Sequence, residues 1–111
     1  MKHEMKLHDS PFELIKNRTK TIELRLNDEK RQKVRVGDLI EFTNRSTTEK
    51  IITKVKELHH YQSFDELYKH FDKIKLGYEE NEEANPTDME LYYSKEEQSK
   101  YGVLGIEIEL I

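Results

Sequence analysis

The sequence predicts an α+β domain in which about five strands form a small, closed or nearly closed β-barrel with short helices inserted between them. Apolar and polar residues alternate with a period of two in several separate segments, which is typical of half-buried strands. Ser-x-x-Glu pairs, which mark helix starts, lie between those segments. Closure would remove exposed edges from so small a sheet, so we favour a barrel over an open α+β sheet. At 111 residues there is room for one modest core, and we expect one domain over residues 1–111.

The first third of the chain reads as two strands separated by a helix. Lys2–Leu7 alternates weakly and predicts the first strand. Ser10 is expected to cap a short helix with Pro11 at its first position, and Asn17 to end that helix in a left-handed conformation. Thr19–Leu26 follows as the second strand, in which Ile22, Leu24 and Leu26 alternate with Thr21, Glu23 and Arg25.

A hairpin is expected in the middle of the chain. Gly37-Asp38 is a turn signal that leads into a strand at Leu39–Thr43. After a polar loop, Ile51–Leu58 predicts a long strand that reaches Tyr61 with a bulge.

The last part of the chain combines two capped helices, a loop and a final strand. Ser63 and Ser94 each begin a capping box and predict a helix start. The acidic segment 78–87 contains Pro86 and is expected to be a mobile loop. Val103–Leu110 predicts the closing strand, and Gly105 marks a bulge or a close backbone approach.

Composition excludes several classes of site. There is no cysteine, which removes disulfides, thiol catalysis and cysteine-based zinc sites. The histidines form no ligand pattern, since His59 and His60 are adjacent and no HExxH pairing occurs, so we expect neither a metal nor a cofactor. No P-loop, dinucleotide fingerprint or nucleophile elbow is found. With no long apolar run and no signal-peptide pattern, we expect a cytoplasmic protein that is not bound to a membrane. We expect it to be a monomer.

Charge is divided unevenly along the chain. Residues 1–62 hold 14 Lys and Arg against 10 Asp and Glu, whereas residues 63–111 hold 5 against 13. The overall charge of −4 argues against tight, non-specific nucleic-acid binding. The basic half can present a surface to an anion, or the two halves can attract each other within the fold.

The strongest candidate for chemistry is Lys20 with Glu23 and Arg25. Glu23 and Arg25 are two residues apart in a strand and project to one face. Lys20 joins that face only if a turn or bulge intervenes. Arg25 offers a planar fork of donors, Glu23 can accept a proton or a hydrogen bond, and Lys20 can hold an oxyanion. The alternative is a purely structural network of ion pairs.

A second group of candidates interleaves aromatic rings with cations near the C-terminus. Tyr93, Lys95 and Tyr101 are suited to stacking on a base and contacting a phosphate. The alternative is ordinary helix packing, with Tyr92 and Tyr101 in the core.

These landmarks together resemble the ASCH domain family, small β-barrels of the PUA-like superfamily, over nearly the whole chain. The family's core motif reads roughly G-x-K-x-x-E-x-R, which Lys20, Glu23 and Arg25 match, with Arg18 at the glycine position. The other matching places are Pro11-Phe12 with Ile15-Lys16, Val36-Gly37-Asp38 with Ile40 and Phe42, Ser63-Phe64 with Leu67, and Tyr93-Ser94-Lys95-Glu96 with Tyr101-Gly102-Val103.

The resemblance implies a PUA-like barrel of about five or six strands and binding of RNA or a modified nucleoside in a cleft lined by the Lys-Glu-Arg strand. One branch of the family hydrolyses N4-acetylcytidine with a lysine, a threonine three residues later and a glutamate. Lys20 matches the lysine, but Glu23 occupies the threonine position, so an amidohydrolase with Lys20 and Glu23 as catalytic residues is the alternative function. A protein-interaction or regulatory module is the third. The family's glutamate falls in the acidic region and is not assigned among Glu79, Glu80, Glu82, Glu83 and Glu90.

Overall fold

A computed structural model describes all residues, 1–111, as an α+β fold built on a five-stranded sheet that curls into a half-barrel. The strands are β1 (Lys2–Leu7), β2 (Ile22–Leu26), β3 (Leu39–Asn44), β4 (Lys50–Tyr61) and β5 (Val103–Leu110). The helices are α1 (Asp9–Lys16), α2 (Phe64–Tyr68), α3 (Lys73–Leu76) and α4 (Lys95–Tyr101), with 3₁₀ turns at Arg31–Lys33 and Pro86–Leu91. This architecture confirms the predicted fold class, a PUA-like arrangement of strands with short helices between them.

The strand order is β1-β3-β4-β5-β2, so the first two strands of the sequence form the two edges of the sheet. β1 runs parallel to β3, and the other neighbouring strands are antiparallel. The predicted bulge in the long strand is present between Val55 and Glu57. Because the sheet curls, its two edges face each other across the open side of the half-barrel, where the Arg25 side chain joins β2 to a carbonyl of β1.

Two apolar clusters hold the fold together. The larger fills the half-barrel with side chains from β1, α1, β3, β4 and β5, including the fully buried Phe12, Ile40 and Phe42. The smaller lies between the sheet and the helices α2 and α3, where Phe64 and Leu67 are the central residues. β2 is buried on both faces, because Ile22 and Leu24 belong to the smaller cluster and the alternate residues pair with β5 positions inside the half-barrel.

Gly105 lies where β5 passes between these two layers. It is paired with Leu24 and His59 without a bulge, so of the two predicted alternatives the close approach is observed. An added Cβ would lie 3.3 Å from Ile22 Cγ2 and 3.3 Å from Leu67 Cδ1. Glycine at this position therefore lets α2 pack directly against the sheet.

The start and end of α1 differ from the sequence prediction. The residue before the helix is His8, and the helix begins at Asp9, so the predicted cap at Ser10 is wrong. The left-handed residue is Arg18 (φ 70°), whereas Asn17 has φ −87°, so that prediction is also wrong. The later caps are confirmed, since the Ser63 hydroxyl accepts from the Glu66 N–H and Ser94 forms a complete capping box with Glu97.

The acidic segment 78–87 is tied to the preceding helix. Lys73 Nζ donates to the backbone carbonyls of Glu80 at 2.7 Å and Glu82 at 2.6 Å.

None of the helices combines the length and apolar character that a membrane crossing needs.

The edge strand β1 is fastened to the turn before β3 by Asp38. Its carboxylate accepts from His3 Nε2 at 2.8 Å and from the Arg35 N–H at 3.0 Å. The hydrogen bond with His3, opposed by burial and helped by the Arg35 N–H, lowers the pKa of Asp38 from 3.8 to about 2. A carboxyl whose pKa is lowered by folding stabilises the fold above its unfolded pKa and loses that contribution as the pH falls through its folded pKa.

We therefore expect Asp38→Asn to lower the free energy of unfolding at pH 7 by about 1 kcal/mol. The difference from wild type should narrow as the pH falls from about 4 to about 2, where the native carboxyl is protonated too. Urea unfolding of both proteins across this pH range measures the difference in their free energies of unfolding. The control is Glu4→Gln, because Glu4 lies on β1 next to His3 but is exposed and has no side-chain partner. A stability difference that does not change with pH would contradict the assignment.

Candidate functional site

Lys20 shares a site with Glu23 and Arg25 because a turn precedes the second strand. β2 begins at Ile22 rather than at Thr19, and the N–H of Lys20 still donates to the Leu14 carbonyl at the end of α1, at 3.0 Å. The intervening turn that the sequence required is therefore present. Lys20 Nζ lies 3.6 Å from Glu23 Oε1 and donates to the Leu76 carbonyl at 2.7 Å.

Glu23 and Arg25 point into the half-barrel at its open side. In the pairing with β5 they lie opposite Ile106 and Leu104, which belong to the larger core cluster. Arg25 Nε donates to Glu23 Oε2 at 2.8 Å, and Arg25 Nη2 donates to the Lys6 carbonyl on β1 at 2.9 Å. We call these three side chains, Lys20, Glu23 and Arg25, the charged cluster.

The charged cluster is almost completely shielded from solvent. The side chains of Lys20 and Glu23 are each 6% exposed, and that of Arg25 is 12% exposed. Burial lowers the pKa of Lys20, although the Glu23 carboxylate partly opposes this. Burial alone would raise the pKa of Glu23, but Arg25 and Lys20 outweigh it and the pKa is lowered. Glu23 is therefore a carboxylate held between two cations, and the cluster carries an excess positive charge.

The end of α3 determines where the Lys20 ammonium lies. Leu76 is the last residue of α3, so its carbonyl has no partner within the helix and is free to accept from Lys20. The next residue, Gly77, has φ 106°, in the left-handed region that favours glycine. A Cβ added at Gly77 would lie 3.1 Å from Lys20 Cδ and 3.3 Å from Nζ. Glycine there both ends the helix and leaves room for the lysine.

The charged cluster lines a cavity of about 340 Å³, which we call the cleft. It opens between the two edge strands of the sheet, with the segment from α2 to Tyr93 along one side. Its volume lies in the range of about 300–1,000 Å³ that small-molecule sites occupy. Besides the charged cluster, the residues that line the cleft are Lys6, Leu7, His8, Pro11, Leu24, Arg45, Tyr68, Leu76, Gly77, Tyr78, Asp88, Met89, Tyr92 and Tyr93.

One side of the cleft is basic, with Lys6 from β1 and Arg45 from the loop between β3 and β4. The Arg45 N–H donates to the Leu7 carbonyl at 2.9 Å, which fixes the loop against β1. The fully buried Asn44 donates to Asp9 at 3.0 Å and accepts from the Ser46 N–H at 2.8 Å, so it shapes the loop that carries Arg45. The side chains of Lys6 and Arg45 form no hydrogen bond or ion pair within the protein.

The opposite side of the cleft carries a chain of hydroxyls. The hydroxyl oxygens of Tyr68 and Tyr78 are 3.0 Å apart, and the Tyr78 hydroxyl lies 2.8 Å from Asp88 Oδ2 and 3.2 Å from the Asn85 carbonyl. Burial, together with the neighbouring hydroxyl and Asp88, raises the pKa of Tyr68, and burial raises that of Tyr78. Both phenols therefore stay protonated at neutral pH.

The residues predicted as ligand-binding are divided between two places. Tyr93 lines the cleft and stacks on Phe64 with ring centroids 6.1 Å apart. Lys95 and Tyr101 lie on α4 and line a different, more polar depression, so the structure does not bring them together with the charged cluster. Tyr101 is half-buried with Lys100 Nζ 5.0 Å from its ring centroid. Tyr92 was expected in the core as one alternative, but it is 58% exposed at the cleft.

Sequence reasoning did not identify Lys6, Arg45, Tyr68, Tyr78 or Asp88 as cleft residues. Lys6 lies on the edge strand β1 and the other four lie on separate loops, turns and helix ends, and no spacing in the sequence connects them. Besides Glu23, the acidic residue that lines the cleft is Asp88, and none of the glutamates at 79, 80, 82, 83 and 90 lines it. The structure also brings no group of three or more His, Asp or Glu side chains together in a way that could hold a metal ion.

The charged cluster predicts a strongly coupled response to mutation. Glu23→Gln leaves two buried cations without their carboxylate and should lower the free energy of unfolding by about 3 kcal/mol. Lys20→Met should cost less in the Glu23→Gln background than in wild type, because it then removes an unpaired charge. Urea unfolding of the four proteins in this double-mutant cycle measures the coupling.

The control is Glu49→Gln, which breaks the exposed ion pair between Glu49 and Lys16, 2.6 Å long. Because both partners are exposed to solvent, this change should leave the free energy of unfolding almost unchanged. Additive costs for Lys20→Met and Glu23→Gln would show that the buried charges do not interact.

Comparison with known proteins agrees with the fold and the motif. The family model described as the ASCH domain matches residues 5–111. The crystal structure of the hypothetical protein PH0355 is 35% identical, with a TM-score of 0.84 and 100% of both chains covered. The solution NMR structure of protein PF0455 from Pyrococcus furiosus is also 35% identical, with a TM-score of 0.73, covering 100% of this chain and 98% of that one. No curated protein matches the sequence significantly. The chain therefore belongs to the ASCH domain family.

Proposed function

We propose that this ASCH domain binds RNA or a modified nucleoside in the cleft, with Lys20, Glu23 and Arg25 as its principal ligand-binding residues. The observation that carries the proposal is the excess positive charge buried in the charged cluster. Burying an ion costs several kcal/mol unless its partners compensate. One carboxylate compensates one of the two cations here, so a ligand oxygen or phosphate would complete the arrangement.

Donor geometry supports a polar ligand at the same place. Lys20 uses one strong hydrogen bond, to Leu76, and its contact with Glu23 is 3.6 Å long. Arg25 uses Nε for Glu23 and one Nη2 hydrogen for Lys6. An ammonium has three hydrogens and a guanidinium five, so both side chains retain N–H groups for a ligand.

The surroundings of the charged cluster suit the other parts of a nucleotide. Lys6 and Arg45 can contact phosphate, which positions a nucleic acid without reading its sequence. Tyr92, Tyr93 and His8 provide rings for base stacking, and the rings of His8 and Tyr92 are already 6.2 Å apart. The overall charge of −4 favours a ligand held in the cleft over a long nucleic acid held by charge alone.

The basic side of the cleft gives a test that spares the core. Arg45→Ala should weaken binding of a short single-stranded RNA several-fold and reduce the slope of log K against log salt concentration by about one. Arg35→Ala is the matched control, because Arg35 is exposed and lies outside the cleft. Fluorescence anisotropy at several salt concentrations measures both. Equal losses in the two variants would mean that binding is non-specific, and no loss in either would exclude the cleft as the RNA site.

A second candidate function, hydrolysis of an N4-acylated nucleoside, is favoured by the lowered pKa of Lys20 next to an ionised Glu23. Water would attack the amide carbonyl while Glu23 accepts its proton and the Lys20 ammonium acts as the general acid. Arg25 would stabilise the oxyanion, and the proton would pass to the leaving nitrogen as the carbon–nitrogen bond breaks, giving the free nucleoside and a carboxylate. In this mechanism Glu23 acts in place of the threonine that the resembling branch of the family uses.

Hydrolysis can be tested by incubating the protein with N4-acetylcytidine and following the loss of the nucleoside's ultraviolet absorbance. If the protein is this hydrolase, Lys20→Ala and Glu23→Gln should each reduce turnover by at least about a hundredfold, because each removes a proton-transfer group. Arg45→Ala should retain most of the activity on the uncharged nucleoside. Turnover that survives Lys20→Ala would exclude this mechanism, and no turnover by the wild-type protein would leave binding as the function of the cleft.

A further inference from the structure

The side of the cleft that carries Tyr68, Tyr78 and Asp88 is called the wall here. The hydrogen bonds along its hydroxyl chain have a fixed direction of donation. Asp88 and the Asn85 carbonyl can only accept hydrogen bonds, and both lie within reach of the Tyr78 hydroxyl, at 2.8 Å and 3.2 Å. Tyr78 has a single hydroxyl hydrogen, so it is directed to these acceptors. The Tyr78 oxygen must then accept from Tyr68, 3.0 Å away. The order of donation is Tyr68 to Tyr78 to Asp88.

This order leaves the wall without a donor for a ligand. Both phenolic hydrogens are used within the chain, so the free positions on the two phenol oxygens are lone pairs. Asp88 Oδ2 receives Tyr78, whereas Oδ1 accepts no hydrogen bond from the protein. A ligand group that contacts the wall must therefore donate hydrogen bonds.

The charged cluster has the opposite character. Lys20 and Arg25 present N–H groups to the cleft, and the Glu23 carboxylate between them is occupied by both. A ligand group that contacts the cluster must accept hydrogen bonds or carry negative charge. The cleft is thus polarised, with donors at the charged cluster and acceptors at the wall.

We infer that Asp88 is a specificity-determining residue that recognises an exocyclic amine on the base of the bound nucleotide. Adenine and cytosine carry such an amine beside a ring-nitrogen acceptor, whereas the amine of guanine lies beside a ring N–H donor. Their carbonyl counterparts, hypoxanthine and uracil, would place an oxygen against the Asp88 carboxylate, and two acceptors repel. This inference rests on the proposed binding of nucleotides in the cleft.

Two pairs of nucleotides that differ at this position test the inference. Isothermal titration calorimetry would compare adenosine with inosine monophosphate, and cytidine with uridine monophosphate. We expect the amine-bearing member of each pair to bind about tenfold more tightly to the wild-type protein, as one hydrogen bond to a charged group would provide. Asp88→Asn should abolish or reverse the preference, because the amide oxygen can still accept from Tyr78 while the amide nitrogen offers a donor to the ligand.

Two further variants separate recognition from structure. Glu90→Gln is the control, since Glu90 lies in the same 3₁₀ turn but lines the other depression, and it should keep the wild-type preference. Tyr78→Phe removes the internal donor to Asp88 and should keep the preference for the amine, whereas a wall that acts only through folding would lose it. Equal binding of both members of each pair by the wild type, or an unchanged preference in Asp88→Asn, would overturn the inference alone. If the wild-type protein binds neither the four nucleotides nor RNA, the proposed function is overturned together with this inference.

Discussion

The hydrogen bond from Arg25 to the Lys6 carbonyl joins the two sheet edges that the backbone leaves apart. β1 and β2 end the strand order on opposite sides, and each pairs with a single neighbour. The Arg25 guanidinium spans the gap between the two strands, and the carboxylate of Glu23, also on β2, balances its charge. The fold can bury the Arg25 cation because the Glu23 carboxylate lies two residues away. The same carboxylate lies next to Lys20, which donates to the last carbonyl of α3. The cleft is the part of the gap that these side chains do not fill.

The period-two pattern of the second strand predicted much of this arrangement. It placed Ile22 and Leu24 on a buried face and Glu23 and Arg25 together on the other. It did not predict that the second face is buried too, because charged side chains in alternation are equally typical of a solvent-exposed face. That face turns inward only when β2 pairs with β5 and the sheet curls, which depends on contacts far apart in the sequence. The error at the start of α1 has a local cause, since the Ser-Pro dipeptide looks like a cap but two more residues, Asp9 and Ser10, join the helix.

The cleft beyond the charged cluster could be predicted only in part. Tyr93 was predicted and lines the cleft, whereas Lys95 and Tyr101 belong to the helix that follows and line another depression. The chain changes direction at the Ser94 cap, so adjacent aromatic and basic residues in the sequence serve different surfaces. Arg45 and Asp88 reach the cleft because Asn44 and Tyr78 fix their loops, and a hydrogen bond between loops has no signature in the spacing of residues. This is why the basic and acidic sides of the cleft became apparent only in three dimensions.

The placement of Arg25 has a further consequence for the solubility of the protein. The open edges of β1 and β2 present unpaired backbone groups, to which a strand of another molecule could add. A buried charge between the edges, and the exposed Lys6 on β1, make such an added strand unfavourable because it would have to desolvate them. The same charges that line the cleft therefore also oppose the addition of a neighbouring molecule's strand to the sheet.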